Sequence, residues 1–197
     1  MHTSEVGILN GRFQILHLGY VEYILAAKMR CRRLVIGIGN PDEQHLQYNR
    51  LQPGSIRKRM NPFTYYERMQ MIHAAMKDFG ISREDYEIVP FPLDTPELLE
   101  NYIPREGTCY MNLLDQWSDG KRRELEELGY RVEALRTGTS QEKKMTSASV
   151  LETMGTDGEW EKLVPRSVAS YIKENGLDER VRTLWNLPVL ENEEETD

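Results

Sequence analysis

The sequence predicts an α/β fold: a Rossmann-like, doubly wound parallel sheet of five strands, followed by C-terminal helices. Two observations lead to this prediction. Five short apolar runs alternate along the chain with segments whose apolar residues recur at helical spacing. Glycine and proline breakers separate these segments. Strands that alternate with helices are typical of a parallel sheet with helices on both faces.

The first half of the chain is predicted to contribute three strands and two helices. The strands are the apolar runs 6–10, 33–38 and 86–91. Apolar residues at helical spacing predict helices over 18–29 and 63–79. Residues 40–60 are predicted to be irregular, because two prolines and a glycine interrupt them.

The helix over 63–79 carries recognisable end signals. Asn61, which a proline follows, is its predicted cap, and Gly80 marks its end. Within the helix, Glu67 and Arg68 are expected to form a local ion pair that holds the helix against the sheet.

The second half is predicted to contribute the remaining two strands, 108–112 and 131–135. Predicted helices cover 95–102 and 118–128, and another begins after a Val-Pro pair and ends before Gly176. Residues 1–176 are predicted to form the sheet domain. Residues 177–197 are predicted to form a C-terminal extension that ends in an acidic tail.

The composition limits the classes of function. A formal net charge of −7 argues against general nucleic-acid binding, which needs a basic face, but leaves room for a local basic pocket. No apolar run approaches the length of a membrane span, and the N-terminus lacks the apolar core of a signal peptide. Cys31 and Cys109 lie in or beside apolar runs and are predicted to be buried free thiols. These features predict a cytoplasmic protein without nucleic-acid or membrane partners.

The stretch NGRFQILHLGY, residues 10–20, carries the main functional signal. The first strand runs into Gly11, and His17 and Gly19 fall where the first helix begins. A helix start presents unpaired N–H groups and a partial positive charge, and glycine lets a phosphate approach the backbone closely. His17 can donate to a phosphate oxygen, and Arg12 adds a cation. The stretch therefore predicts an anion site that suits a nucleoside triphosphate, although it is neither a Walker loop nor a GxGxxG fingerprint. No cysteine or histidine cluster has zinc-binding spacing, so no metal held by the protein is predicted.

Four stretches resemble one enzyme family. GRFQILHLGY at 11–20 resembles the GRFQPxHxGH signature of the nucleotidylyltransferase superfamily. More narrowly, the chain resembles the archaeal-type nicotinamide mononucleotide (NMN) adenylyltransferases and the related phosphonate cytidylyltransferases. NPFTYYERMQMI at 61–72 is similar to the NPFTxxERxxMI helix of these enzymes. LVIGIG at 34–39 and WEKLVPRSVASYI at 160–172 are similar to their second strand and C-terminal helix.

The resemblance implies the fold above and a nucleotidyl transfer. A nucleoside triphosphate binds with Mg²⁺, a phosphate oxygen of an acceptor attacks the α-phosphorus in line, and pyrophosphate leaves. Members of the family commonly assemble, so a homo-oligomer is possible. The resemblance implies catalytic roles for Arg12 and His17. The nucleotide-binding residues that it implies are Gly11, Phe13, Gln14, Gly19, Thr146, Ser147 and Ser149.

Two departures from the family pattern concern the phosphates. Tyr20 stands at the second histidine of the motif, which contacts the triphosphate in the family, and its neutral hydroxyl can donate one hydrogen bond. The late arginine of the family, which binds the outer phosphates, falls on Leu151 or on Glu152, depending on the alignment. Lys144, in the loop before the last helices, is the predicted replacement cation. Tyr20 and Lys144 thus join the predicted catalytic residues.

A third departure concerns the acceptor. The family places a tryptophan after the third strand, whereas PFPLDTPELLENYIP has Asp94 and no tryptophan. Trp117 either stacks on a ring of a substrate or covers an apolar surface. The cationic run SIRKR at 55–59 is either a solvated surface or part of a lid that closes over phosphates. The predicted acceptor-binding residues are Asn40, Arg57, Arg59, Asp94 and Trp117.

Three functions remain open from the sequence. The first is a nucleotidyltransferase with an altered acceptor, such as a phosphonate cytidylyltransferase of natural-product biosynthesis that prefers CTP over ATP. The second is an NMN adenylyltransferase with a divergent site. The third is a nucleotide-binding protein without catalysis, because losing a histidine and an arginine is what degeneration produces.

Overall fold

Five parallel strands form one sheet. The structure is a computed structural model that describes residues 4–41, 54–92, 94–138 and 145–188. The strands are β1 Ser4–Gly11, β2 Cys31–Gly39, β3 Tyr86–Phe91, β4 Thr108–Leu113 and β5 Arg131–Thr137. Their order across the sheet is β3-β2-β1-β4-β5, and every neighbouring pair is parallel. This arrangement confirms the predicted fold class.

Helices connect the strands and follow the last one. The α-helices of the described residues are α1 Leu18–Lys28, α2 Gly54–Met60, α3 Tyr65–Asp78, α4 Gln116–Glu127, α5 Ser147–Gly155, α6 Arg166–Glu174 and α7 Leu177–Asn186. Short 3₁₀ helices span Arg83–Asp85, Pro96–Asn101 and Trp160–Leu163.

Two segments differ from the sequence prediction. Part of the stretch 40–60, predicted to be irregular, forms α2. Gly54 is the first residue of this helix, where a breaker is tolerated, and good helix formers such as Arg57 and Met60 follow it. The helix predicted over 95–102 takes the 3₁₀ form, which suits a short segment that begins with a proline.

The cap of α3 also differs from the prediction. Thr64, not Asn61, caps this helix in a capping box: its Oγ1 accepts the Glu67 N–H at 3.2 Å, and Glu67 Oε2 accepts the Thr64 N–H at 2.8 Å. Asn61 instead donates from Nδ2 to the carbonyl of Arg57, one turn earlier in α2. The Thr-x-x-Glu spacing in the sequence was the signal for this cap.

Apolar side chains fill both sides of the sheet. Successive residues of a strand point to opposite faces, so Leu34 and Ile36 pack in one cluster and Val35 in the other. The larger cluster includes side chains of α1, α3, α5 and α6, and the smaller one includes α4. Leu177 and Val181 of α7 are buried in the larger cluster, so the described part of the segment 177–197 packs on the sheet domain.

Both cysteines are free and buried, which confirms that part of the prediction. Burial raises the pKa of Cys109 to about 12 and also raises the pKa of Cys31. None of the helices in the described ranges is long and apolar enough to cross a membrane.

The strand order sets the position of a ligand. The chain leaves β1 for β2 on one side, and β4 lies on the other side of β1, so the order reverses between β1 and β4. In sheets of this kind, ligands bind beyond the carboxyl ends of the strands at such a reversal. Gly11 ends β1 and Leu113 ends β4, so a ligand is expected beyond these two residues.

Candidate active site

The turn after β1 places His17 at the start of α1. Its Nδ1 accepts the backbone N–H of Tyr20 at 3.3 Å, and the imidazole thereby caps the helix. Because Nδ1 accepts, the proton of the neutral ring lies on Nε2, which is therefore a donor. His17 is only 5 % exposed, and the first turn of α1 contains no acidic residue. The helix start thus offers an anion a fixed donor in a positive field.

Tyr20 supports the imidazole with its ring. The two rings are stacked, with centroids 4.5 Å apart and an interplanar angle of 26°. The ring of Phe13 packs on Tyr20 from a centroid distance of 4.6 Å. A Cβ atom at Gly11 would lie 2.9 Å from Tyr20 Cε1, so this packing requires glycine at that position. The tyrosine in place of the second motif histidine is therefore part of the support of His17.

Two predicted nucleotide-binding residues have structural side chains. The ring of Phe13 is fully buried. Gln14 is also buried, and its amide makes two hydrogen bonds with the backbone of Phe63: Nε2 donates at 2.8 Å and Oε1 accepts at 3.0 Å. Any contact of Phe13 or Gln14 with a nucleotide is therefore left to their backbone atoms. The sequence did not reveal this, because the partners lie about fifty residues apart.

The start of α5 lies beside the start of α1. A Cβ atom at Gly19 would lie 3.1 Å from His17 Nδ1 and 4.0 Å from the Cβ of Met145. Thr146 follows Met145 and caps α5, and Ser147 is the first residue of that helix. The fold thus brings together four residues predicted from the sequence, in two segments that are far apart along the chain.

The hydroxyl groups at α5 are engaged in capping. Thr146 Oγ1 accepts the Ser149 N–H at 3.1 Å, and Ser149 Oγ accepts the Thr146 N–H at 3.2 Å. Ser149 Oγ also donates to the Thr146 carbonyl at 2.8 Å. These hydroxyls hold the helix start in place, so a phosphate there would meet backbone N–H groups and Ser147 first.

The two positions that align with the late arginine of the family both lie on α5. Leu151 is fully buried in the core, and Glu152 is exposed on α5. Neither position supplies a cation. Lys144, the predicted replacement, lies outside the described residues.

Arg12 extends over the end of β2. Its side chain is exposed, and its Cγ would lie 3.8 Å from a Cβ atom at Gly39, the last residue of that strand. Beneath it, the buried guanidinium of Arg68 donates hydrogen bonds to the carbonyls of Arg12, Gly39 and Asn40. The sequence prediction missed this contact.

The expected ion pair between Glu67 and Arg68 does not form. Arg180 of α7 takes the place of Arg68, with bonds of 2.8 Å from Nη1 and Nη2 to the two carboxylate oxygens of Glu67. Burial alone raises the pKa of Glu67, but the hydrogen bonds from Arg180 and Thr64 outweigh it and lower the pKa. The ion pair between Glu67 and Arg180 therefore holds α3 against α7, while Arg68 bonds to the backbone at the ends of β1 and β2.

The cations of α2 have different surroundings. Arg59 donates to the carbonyls of Leu184, at 2.9 Å, and Leu187, and its guanidinium lies over the ring of Trp185 at 5.9 Å. Arg59 therefore fastens α2 to α7, and its predicted contact with the acceptor stays a prediction. Arg57 is half-buried on α2.

The remaining acceptor candidates all follow strands at the same edge. Asn40 comes directly after β2, with a left-handed φ of 48°. Asp94 lies in the turn after β3. Trp117 lies in the first turn of α4, after β4, and is 64 % exposed, so it covers little of the protein surface. An exposed ring beside the carboxyl edge is available for stacking.

A groove of about 500 Å³ lies elsewhere, at the amino end of β3. His73, Lys77, Arg83 and Tyr86 are among its lining residues. Three of these side chains contact each other. His73 Nδ1 and the Tyr86 hydroxyl share a hydrogen bond of 2.8 Å, and the Arg83 guanidinium lies over the Tyr86 ring. The groove lies at the amino ends of the strands, whereas His17 lies beyond their carboxyl ends, so the groove is not the candidate site.

Comparisons with known proteins show which family the chain resembles. Residues 8–133 match the family model described as cytidylyltransferase-like. The phosphonoformate cytidylyltransferase of Streptomyces viridochromogenes is 40 % identical over 179 residues, which are 91 % of this chain and 96 % of that protein. The nicotinamide-nucleotide adenylyltransferase of Pyrococcus furiosus is 30 % identical over 188 residues, 90 % of this chain and 88 % of that protein.

A solved structure shares the fold. The bifunctional NMN adenylyltransferase/ADP ribose pyrophosphatase from Francisella tularensis superposes with a TM-score of 0.57 at 16 % identity. The match covers 98 % of this chain and 59 % of that chain. The matched proteins are of the kinds that the four sequence stretches resemble.

Proposed function

Because the chain belongs to the cytidylyltransferase-like family of nucleotidyltransferases, we propose that it transfers a nucleoside monophosphate from a triphosphate to a small phosphonate or phosphate. CTP is the proposed donor in preference to ATP, and pyrophosphate is the second product. The observation that carries the proposal is the meeting of two helix starts at the reversal of strand order. One is capped by His17 and the other by Thr146.

The proposed chemistry needs positioning and charge stabilisation. An oxygen of the acceptor forms a bond to the α-phosphorus as the bond from that phosphorus to the bridging oxygen breaks, and pyrophosphate leaves with the electron pair. Nε2–H of His17 donates to a phosphate oxygen on which negative charge develops. The two helix starts and Arg12 add positive potential around the same group. No covalent intermediate with the protein is required.

The choice of acceptor follows from the relative that is 40 % identical, which is a phosphonoformate cytidylyltransferase. A phosphonocarboxylate is small and anionic, so it is recognised by cations rather than by a stacking pocket. In this sequence the segment 90–104 contains no tryptophan. Arg57 is the cation proposed to hold such an acceptor.

We propose that Mg²⁺ enters with the nucleotide. Within the ranges that the structure describes, no group of three or more His, Cys, Asp or Glu side chains is placed to hold a metal ion. Mg²⁺ commonly binds through substrate phosphates and water with one or two carboxylates. The triphosphate and water would therefore supply most of the ligands of Mg²⁺.

A second candidate function is NMN adenylyl transfer from ATP. The relative from Pyrococcus furiosus, 30 % identical over nearly the whole chain, favours it. A third candidate, nucleotide binding without catalysis, rests on the replacement of the second motif histidine by Tyr20.

One assay separates these functions. The protein is incubated with each of the four nucleoside triphosphates and a panel of phosphonates, phosphates and NMN, with and without Mg²⁺, and pyrophosphate is measured. We expect the highest rate for CTP with a small phosphonocarboxylate. ATP with NMN as the sole productive pair would overturn the proposal, and nucleotide binding without any turnover would support the third function. The His17→Asn variant controls for contaminating activity.

The proposal includes cytoplasmic location and homo-oligomeric assembly. Free, buried thiols suit a reducing compartment. Light scattering of the purified protein would measure the oligomeric state directly.

A further inference from the structure

Arg68 is buried beneath the candidate site. The residue lies in the first half of α3 and is 2 % exposed. Its Nη1 donates to the carbonyls of Arg12 at 2.8 Å and Gly39 at 2.7 Å, and its Nη2 donates to the carbonyl of Asn40 at 2.7 Å. Its Nε donates to the Thr64 carbonyl within α3 at 3.2 Å. One planar group therefore joins the carboxyl ends of β1 and β2 to a single helix.

The carbonyls that Arg68 holds lie beside unusual backbone. Phe13, directly after Arg12, has a φ of 51°, and Asn40 has a φ of 48°. Residues other than glycine rarely adopt this left-handed conformation, and it persists where surrounding contacts impose it. The hydrogen bonds from Arg68 provide such contacts at both positions. They therefore help to set the direction in which the chain leaves β1 and β2.

Arg68 makes these bonds without an acidic partner among the described residues. Glu67, its neighbour on α3, binds Arg180 instead. Burial lowers the pKa of Arg68 to about 10, and the nearby charge of Arg12 acts in the same direction. The guanidinium is nevertheless protonated near pH 7, so it places a positive charge under the loop that carries Arg12 and His17.

We propose that Arg68 is a positioning residue for the nucleotide site, which holds the ends of β1 and β2 in the geometry that aims Arg12 and His17 at the triphosphate. This inference rests on the proposed function, because the triphosphate is the ligand of that site. Arg68 itself touches no substrate. Its effect passes through the backbone of Arg12, Gly39 and Asn40.

The test compares two arginines that make similar hydrogen bonds. Arg68→Lys keeps the charge but loses the planar fork, since an ammonium group cannot reach the same carbonyls together. Arg180→Met is the matched control. It removes a guanidinium that also binds α3, through Glu67 and the Pro62 carbonyl, but does not contact the ends of β1 and β2. For each protein, thermal unfolding is recorded and CTP binding with Mg²⁺ is measured by calorimetry, well below the melting temperature.

We expect both variants to melt at a lower temperature than the unmodified protein, and only Arg68→Lys to bind CTP more weakly. Its dissociation constant for CTP should rise at least about tenfold, as displacement of binding groups by a fraction of an ångström does. Arg180→Met should bind CTP within about twofold of the unmodified protein. Unchanged CTP binding by folded Arg68→Lys, or an equal loss in Arg180→Met, would overturn the inference.

A second variant covers the case in which Arg68→Lys does not fold. Asn40→Gly in the same chain lets the end of β2 adopt the left-handed conformation without a side chain, so the double variant should fold more readily and regain part of the CTP affinity. A double variant that binds no better than Arg68→Lys, or that also fails to fold, would assign Arg68 to overall stability and overturn the inference. If the unmodified protein binds no nucleoside triphosphate, the proposed function fails. If it binds and the variants do not differ, only the role of Arg68 fails.

Discussion

Two helices begin side by side at the carboxyl edge of the sheet, and their caps are of different kinds. α1 is capped by a buried imidazole, that of His17, whose Nδ1 accepts one backbone N–H. α5 is capped by Thr146 and Ser149, whose exposed hydroxyls bond to each other and to the backbone. Both caps satisfy N–H groups of a first helical turn.

The difference lies in the chemistry of each capping side chain. The imidazole of His17 accepts a helix N–H through Nδ1, and in the neutral ring its Nε2 is a hydrogen-bond donor. Each hydroxyl of the α5 cap is already used as donor or acceptor in the capping box. We therefore expect α1 to supply a side-chain donor to the reaction, whereas α5 supplies its backbone and its positive end.

Substitution of His17 is expected to have the largest effect. His17→Ala removes both the cap and the donor, and kcat should fall about 10²- to 10³-fold, the usual loss for one donor to a developing charge. His17→Asn keeps a capping oxygen but lacks a donor at the position of Nε2, so kcat should fall similarly while the melting temperature stays near that of the unmodified protein. Steady-state kinetics and thermal unfolding measure the two effects. A His17→Asn enzyme with full activity would reduce His17 to a cap.

Two variants of Tyr20 distinguish the contribution of its ring to the support of His17 from that of its hydroxyl. Tyr20→Phe keeps the stack at 4.5 Å and should retain kcat within about twofold. Tyr20→Ala leaves the imidazole without its neighbour and should lower kcat about tenfold, since a misplaced donor is a weak one. Equal losses in the two variants would show instead that the tyrosine hydroxyl acts on the phosphates, as the sequence motif predicts.

At α5 the expected effect is on stability. Thr146→Ala removes the capping hydroxyl and should lower the free energy of unfolding by about 1 kcal/mol, with little change in kcat. Ser147→Ala, one residue later and outside the capping box, is the matched control and should leave stability unchanged. A large loss of nucleotide affinity in Thr146→Ala at unchanged stability would contradict the assignment of this hydroxyl to the cap.

Trp117 extends the comparison to a third helix start. α4 is capped by the carboxylate of Asp115, which accepts the Ser118 N–H at 2.8 Å, so this start is suited to an uncharged group rather than to a phosphate. Trp117→Ala should weaken substrate binding a few-fold, seen in KM, through the loss of stacking. Its melting temperature should not change, because the side chain is 64 % exposed. An unchanged KM for both substrates would remove Trp117 from the site.

The sequence predicted the strands and the helix start that surround the candidate site. Each predicted strand exists, because a buried strand shows as a short apolar run whose pattern depends on neighbouring residues alone. The position of His17 at the start of α1 was likewise readable from the glycines and the strand before it. The prediction of Asn61 as the cap of α3 is wrong, because the Thr-x-x-Glu spacing forms a capping box at Thr64.

The partners of polar side chains were not predictable. Arg68 was expected to bind its neighbour Glu67, yet it binds carbonyls 28, 29 and 56 residues away. Arg59 was a candidate for the acceptor, yet it binds one carbonyl of α7 and one directly after it, more than a hundred residues later. The side chain of Gln14 belongs to a motif but bonds to the backbone of Phe63.

By itself, then, the sequence determined the succession of strands and helices along the chain and the position of His17 at the start of α1, because apolar periodicity and helix-start signals are properties of short segments. Only the tertiary structure decided which cations face the site and which serve the fold. A guanidinium or an amide bonds to whatever acceptors the packed chain brings within about 3 Å, and that choice is made between segments that the sequence does not place together.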